Sequence, residues 1–173
     1  MDTDETMMGL ALDEARVALR AGHLPVGAVI ARGEEVLGRA RKTMGSNHLD
    51  HAEMNVFRSV FIGSYSYSRS EPITLYTTLE PCIMCWGTLL HLPIQRLVYA
   101  MPDAYGGCAS IEIDHQPPRH HGRPREVRAG VRKEEARLLL LEFLDTTEEP
   151  FWVNGGAPEF VAQVRAVSAG DTR

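Results

Sequence analysis

Apolar side chains recur along this chain in two rhythms, every three or four residues in some stretches and in short continuous runs in others. In "MMGLALDEARVALRAGH" Met8, Leu12, Ala15 and Leu19 fall on one helical face, and Gly22 follows where a left-handed cap is wanted. The runs "PVGAVIAR" and "EEVLGRAR" flank Gly33 and predict a two-stranded antiparallel hairpin. In "DHAEMNVFRSVF" Val56, Phe57 and Val60 face inward, with Asp50 expected to cap the first turn of a second helix. "ITLYTTL" is β-branched and aromatic and predicts a third strand. "PCIMCWGTLLHL" opens with a proline suited to a first helical turn and stops before Pro93, which predicts a third helix. "QRLVYAM" and "REVRAGV" predict strands four and five. "KEEARLLLLEFL" predicts a fourth helix whose apolar face carries Ala136, Leu139, Leu140 and Phe143.

A hairpin followed by alternating helices and strands predicts an α/β fold, a three-layer α/β/α sandwich. Between strands four and five lies "PDAYGGCASIEIDHQPPRHHGRP", whose length and Gly, Pro and His content mark a functional or mobile loop. The tail from 146 to 173 starts with turn residues, exposes a Phe-Trp pair, and predicts a short last helix over Phe160, Val161, Val164 and Val167. No repeat or linker divides the chain, so one domain is expected over residues 1–173, with its core at about 8–145 and the tail as a lid or docking helix.

Composition narrows the class. At 173 residues, 44% hydrophobic and 24% charged, the chain is long enough to bury one core and is not of a disordered type. It has no run of about eighteen apolar residues, and "MDTDETMMGL" places acids where a secretory signal carries basic residues, so no membrane span and a cytoplasmic location are expected. A net charge of −5 argues mildly against a large nucleic-acid footprint, a local basic patch aside. Three cysteines, two of them three apart, suit a metal or redox role better than a disulfide framework.

Those two cysteines lie in "TLEPCIMC". Cys82 and Cys85 fall on one face at the start of helix three, where the positive helix end favours thiolate, the form that binds metal. Zinc is the expected cofactor. His51, in "LDHAEMN", supplies a third ligand if the two helix starts face each other, and the fourth place then belongs to water, which is the catalytic rather than the structural zinc pattern. Glu53, two residues on, is the expected catalytic acid–base group beside that water. Three other readings are weighed: a redox dithiol; a closed structural zinc with His48, Cys108 or His115 as fourth ligand; and a non-catalytic zinc protein binding nucleotides or partner chains. A redox fold gives no reason for "HAE" upstream, and intact Glu53 counts against the non-catalytic reading. For His120 and His121 a solvated loop is expected, for His91 a contact with the terminal carbonyls of helix three, and for Trp86 and Cys108 simple packing.

His51-Ala52-Glu53 with Pro81-Cys82-Ile83-Met84-Cys85 is the H-x-E and P-C-x-x-C combination of zinc deaminases. The chain resembles the cytidine deaminase-like superfamily over roughly residues 8 to 145, most closely the branch of tRNA adenosine, cytosine and guanine deaminases. The resemblance implies a five-stranded mixed sheet with strands four and five parallel, commonly a homodimer, and hydrolytic deamination with release of ammonia. It also implies that the Ala52 backbone N–H bonds a base edge and that Val26 and Gly27 line the floor. Members of this branch usually carry an asparagine about eleven residues before the zinc histidine; this chain has Ala40 and Arg41 there, and Asn47 is the nearest asparagine. "FLDTTEEPFWVN" resembles the C-terminal segment of fungal-type cytosine deaminases, which makes Phe151, Trp152 and Asn154 lid candidates, and Tyr105 in "DAYGG" is a stacking candidate. The expected substrate is a small free nucleobase, nucleoside or related aminated heterocycle, with tRNA adenosine, converted to inosine, ranked second.

Overall fold

Asp2 accepts the Asp4 N–H through its side chain and starts a helix, α1 (Thr3–Arg20), whose first turn carries Asp4 and Glu5 against the positive end of the helix dipole. The helix thus begins more than a turn ahead of the apolar rhythm, because its opening is written in polar capping residues rather than hydrophobic ones. It ends as expected, with Gly22 at φ +79° just past Ala21. The computed structural model describes residues 2–43, 48–63, 72–109 and 117–166.

Five strands follow the predicted runs: β1 (Gly27–Arg32), β2 (Glu35–Arg41), β3 (Ile73–Leu79), β4 (Ile94–Met101) and β5 (Glu126–Ala129). They form one mixed sheet in the order β2-β1-β3-β4-β5, with β1 antiparallel to β2 and β3, and with β3/β4 and β4/β5 parallel. Every residue of β3 is buried, which accounts for its unbroken apolar and threonine run at the sheet centre. β5 is exposed along its whole length, a short charged edge that discourages further pairing.

Helices α2 (Ala52–Phe61), α3 (Ile83–His91), α4 (Lys133–Thr146), α5 (Pro150–Val153) and α6 (Pro158–Arg165) complete the chain. Two glycines show how the layers are divided. A side chain on Gly27 would run into the α1 backbone, 2.0 Å from Ala11 O, whereas one on Gly38 would meet Val60 of α2 at 2.6 Å. Gly38 pairs with Ile30, three residues from Gly27 and therefore on the other face of β1, so α1 and α2 cover opposite sides of the sheet. α4 packs on α1 and β4, and α6 packs on α4, while α3 lies beside α2.

Asp4 is 4% exposed and joins four elements. Its carboxylate accepts the Tyr76 hydroxyl at 2.9 Å and two Arg96 nitrogens at 3.2 Å, and it pairs with Arg128, tying α1 to β3, β4 and the exposed β5. Burial alone would raise its pKa, but Arg96, Arg128 and Tyr76 together outweigh that and hold it below the usual carboxylate value. The tail is docked rather than loose. Trp152 sits edge-on to Phe143 at 5.9 Å and beside Phe160 at 5.8 Å, and Phe160 and Val164 of α6 are fully buried. Val167, expected in this helix, lies outside the described residues.

Candidate active site

Helices α2 and α3 both begin at the C-terminal ends of sheet strands, and their starts converge. Asp50 does not cap α2 as expected: its carboxylate is taken by Thr43 N–H (2.8 Å), the Thr43 hydroxyl (2.6 Å) and the Asn55 amide (2.9 Å). His51 is the N-cap residue instead and makes no side-chain capping bond, which leaves its imidazole free to face α3. Cys82 is the N-cap of α3, and Cys85 lies three residues further on the same helix.

The three donor atoms lie within 4.8 Å of one another, and His51 Nδ1 is 3.5 Å from both sulfurs. Zinc–sulfur bonds of ~2.3 Å and zinc–nitrogen bonds of ~2.0 Å at the tetrahedral angle put S and N about 3.5 Å apart, so the spacing is that of a zinc tetrahedron's edge. Two soft sulfurs and one imidazole are also the right donor chemistry for that ion. The two thiols differ in charge. Cys85 donates to the Cys82 sulfur and, against the cost of burial, helps hold the Cys82 thiol down to about 3; the same contact and burial push Cys85 up. The His51 pKa is raised chiefly by Cys82, with burial opposing it, Glu53 adding to the rise and the Lys42 charge lowering it. Among the described residues no fourth His, Cys, Asp or Glu joins this group, so His48 and Cys108 do not close the site, and His115 lies outside the described residues.

Glu53 is 3% exposed in the first turn of α2. Its Oε1 accepts the Thr77 hydroxyl from β3 at 3.1 Å, and its Oε2 lies 3.7 Å from Cys85 Sγ, beside the metal position. Burial raises its pKa, which suits a group that must hold a proton part of the time.

Two neighbouring cavities, with Leu24, Lys42 and His51 common to their linings, lie beside this group. The inner one, about 120 Å³, is walled by Val26, Leu79, Ala52, Glu53, Glu80 and Asp103, with His51 and Cys82 at its base. The outer one, about 810 Å³, is lined by His23, His48, Tyr105, Glu149, Phe151 and Trp152. Val26 and Ala52 therefore border the inner space, and Tyr105, Phe151 and Trp152 the outer one. Gly27 borders neither: its missing side chain faces α1, and its N–H donates to Thr78 Oγ1. This corrects its expected place on the floor, because adjacent strand residues point to opposite faces. Asn154 is exposed and lines neither cavity. Asn47 lies outside the described residues.

Lys42, Thr77, Glu80 and Asp103 were not singled out from sequence. Glu80 holds the loop after β4: its Oε2 accepts Asp103 N–H and its Oε1 accepts Ala109 N–H, both at 3.0 Å. Asp103 in turn caps Tyr105 N–H (2.9 Å) and Gly106 N–H (3.0 Å). A side chain on Gly107 would meet the Glu80 carboxylate at 2.5 Å. The described first part of that loop, read from sequence as functional or mobile, is thus stitched to the site. Thr77 and Glu80 lie in and directly after an unbroken buried run, where no local pattern separates them from packing residues, and nothing local marked Lys42. Trp86 and Cys108 are packed as expected, whereas His91 contacts the His120 ring edge-on at 4.7 Å, so His120 is not a freely solvated side chain.

Residues 1–101 match the family model described as the cytidine and deoxycytidylate deaminase zinc-binding region. The tRNA-specific adenosine deaminase of Bacillus subtilis (strain 168) is 33% identical over 147 residues, covering 83% of this chain and 89% of that protein. The tRNA-specific adenosine deaminase 2 of Danio rerio is 35% identical over 150 residues, covering 80% of this chain and 69% of that protein. A solved structure from work on A-to-I editing by tRNA:A34 deaminases at the wobble position superposes with a TM-score of 0.66 at 31% identity, over 78% of this chain and 99% of the other. The guanine deaminase from Nitrosomonas europaea, at 21% identity and a TM-score of 0.61 over 80% of this chain and 83% of that one, shares the fold.

Proposed function

From the premise that the chain belongs to the family of the cytidine and deoxycytidylate deaminase zinc-binding region, and is a zinc-dependent hydrolytic deaminase, we propose that its substrate is adenosine in tRNA, converted to inosine. This reverses the order expected from sequence, where a free base ranked first. Relatives named for the tRNA reaction, at above 30% identity over four fifths of the chain, support the change. The observation that carries it is the pair of neighbouring cavities with shared lining. Ligand clefts run to about 300–1,000 Å³; the inner space of about 120 Å³ takes only the reacting ring, and the outer space of about 810 Å³ takes the remainder of a much larger substrate. The net charge of −5 is a sum over the whole surface and does not describe this cleft.

A bound zinc ion, held by His51, Cys82 and Cys85, supplies Lewis-acid activation of water. Val26, Leu79 and the Ala52 backbone flank the ring and keep bulk water out. Glu53 accepts a proton from the attacking water through a carboxylate oriented by Thr77, then returns a proton to the departing amine, so that ammonia leaves and a carbonyl remains. Tyr105 and Phe151, 61% and 51% exposed at the cavity rim, offer faces for neighbouring bases. A homodimer working in the cytoplasm belongs to the same reading. Exposed Leu49, Ile62 and Ile83 are apolar surface for such pairing, and light scattering at micromolar concentration reads it out.

Ammonia release from cytosine, guanine, adenine, cytidine, adenosine and an anticodon stem-loop tests the substrate. The reading expects turnover of the stem-loop at least about a hundredfold above any free base, since binding energy from remote parts of a substrate is spent at the reacting centre. Turnover of a free base alone overturns it.

A further inference from the structure

Glu80 is 5% exposed and sits between the end of β3 and the Pro81–Cys82 start of the metal-binding segment. Its own N–H donates to Met101 O at 2.8 Å, which fixes it against the end of β4. A buried carboxylate two residues from a sulfur that binds metal as thiolate adds like charge where negative charge already gathers. Packing alone does not account for it, because an apolar side chain would fill the space without that cost. What an apolar side chain cannot do is accept N–H groups. Glu80 accepts two, from Asp103 through Oε2 and from Ala109 through Oε1, both at 3.0 Å. These are the two ends of the loop from 103 to 109, so one buried carboxylate closes it.

The loop is ordered from that point outward. Its returning arm lies along the metal-binding segment, with Gly107 bridged to Cys82 and the Cys108 N–H donating to Pro81 O at 2.9 Å. A Cβ on Gly107 would come within 2.5 Å of the Glu80 carboxylate and 2.7 Å of Asp103 O, so loop and carboxylate are closely fitted. Asp103, held by Glu80, accepts the N–H groups of Tyr105 and Gly106 through its own Oδ1 at 2.9 and 3.0 Å. Hydrogen bonds therefore run without a break from Glu80 through Asp103 to Tyr105. They lead from a residue beside the metal ligands to one 61% exposed on the outer cavity. On its other side the loop rests on the tail, where the Ala104 N–H donates to Gln163 Oε1 of α6 at 3.0 Å.

We propose that Glu80 is a positioning residue for substrate capture: through Asp103 it fixes the Tyr105 ring at the outer cavity, at a set place relative to the metal-binding segment. Tyr105 touches the substrate and Glu80 acts through it. The inference rests on the reading that part of the substrate lies in the outer cavity, and it deepens that reading by naming what holds the contact surface in place. Glu80→Gln keeps the shape of the side chain but replaces one acceptor oxygen by an NH2 group, which leaves one loop N–H facing a donor. Gly107→Ala disturbs the same contact from the loop side, with Glu80, Pro81 and Cys82 intact.

kcat and KM are measured for the zinc-loaded enzyme in wild type, Glu80→Gln, Gly107→Ala, Tyr105→Ala and Tyr105→Phe, and in Glu80→Gln combined with each Tyr105 variant. Substrates are an anticodon stem-loop, adenosine, cytosine and guanine, and zinc content and Tm are recorded for each protein. Glu80→Gln and Gly107→Ala are each expected to raise KM about five- to tenfold, as loss of a charge-assisted hydrogen bond would, with kcat and zinc content within about twofold of wild type. In the Tyr105→Ala background Glu80→Gln should raise KM by less than about twofold further, because the ring it positions is gone. In the Tyr105→Phe background, which keeps the ring, the full effect should remain. Unchanged KM in both Glu80→Gln and Gly107→Ala overturns the proposal. So does an equal increase with and without the ring at 105, or an increase found only where zinc content falls. Coupling of Glu80 to Tyr105 on a free base, with no turnover of the stem-loop, leaves the proposal standing and removes the tRNA reading. Stem-loop turnover without that coupling does the reverse.

Discussion

The Thr77 hydroxyl donates to Glu53 Oε1 at 3.1 Å, so the fully buried central strand orients the carboxylate that sits beside the zinc position. Glu53→Gln is expected to keep zinc and lose turnover by about 10²–10⁴-fold, the usual worth of a positioned acid–base group. Thr77→Val removes only the orienting bond. Its kcat should fall about fivefold, in line with ~1 kcal/mol for one buried hydrogen bond, with KM and zinc content unchanged. Steady-state kinetics beside metal analysis checks both; full activity in Glu53→Gln would show that the carboxylate is a bystander.

His51, Cys82 and Cys85 come from the starts of two helices, so a zinc ion held by them would clamp α2 to α3. Dialysis against a chelator should abolish activity and lower Tm, and added zinc should restore both. At a hundredfold excess of free zinc over its Kd the metal contributes about 2.7 kcal/mol to the folded state. Cys82→Ala should show reduced zinc content and a lowered Tm that zinc no longer raises. Calorimetry with and without metal reads this directly.

Acid stability follows from Asp4, whose pKa is held below its ordinary value by Arg96, Arg128 and Tyr76 against the opposing effect of burial. A depressed folded-state pKa gives stability that is fully present above the unfolded value of about 3.9 and is lost as pH falls through the lower folded value. Asp4→Asn should cost about 2 kcal/mol at pH 7 and flatten the loss of stability below pH ~4. Denaturant melts at several pH values test it, and parallel acid limbs in the two proteins would rule out this source.

Neighbouring tail residues should separate by role. Trp152 is half-buried against Phe143 and Phe160, whereas Phe151 is 51% exposed on the outer cavity. Trp152→Ala should cost about 2 kcal/mol of stability, less than the ~3–5 of a fully buried aromatic. Phe151→Ala should leave Tm within about a degree and raise KM for the substrate several-fold. Equal stability losses would show that Phe151 only packs.

How far the chain could be read depended on how local each signal was. The strands and α2, α3, α4 and α6 were legible because hydrophobic period and end signals act within ten residues or so. The early start of α1 was missed because Asp2, Asp4 and Glu5 announce it with charge rather than apolar spacing. Asp50 was misread as a cap although its partners, Thr43 and Asn55, lie only seven and five residues away, because the turn that brings Thr43 back to its carboxylate carries no hydrophobic period to announce it. Gly27 was placed on the floor through resemblance, while strand alternation had already turned it toward α1.

The candidate zinc donors His51, Cys82 and Cys85, with Glu53 beside them, were legible from residue type and spacing, since thiol, imidazole and carboxylate chemistry is intrinsic and C-x-x-C puts both sulfurs on one helical face whatever surrounds it. Folding alone decided what those groups confront. It brought Lys42 beside His51, hung the loop of Asp103 on Glu80, and drew Phe151 and Trp152 of the tail beside His23 at the other end of the chain. These are meetings of segments far apart in sequence. Their outcome depends on packing and desolvation summed over the whole domain, which no local window of residues contains.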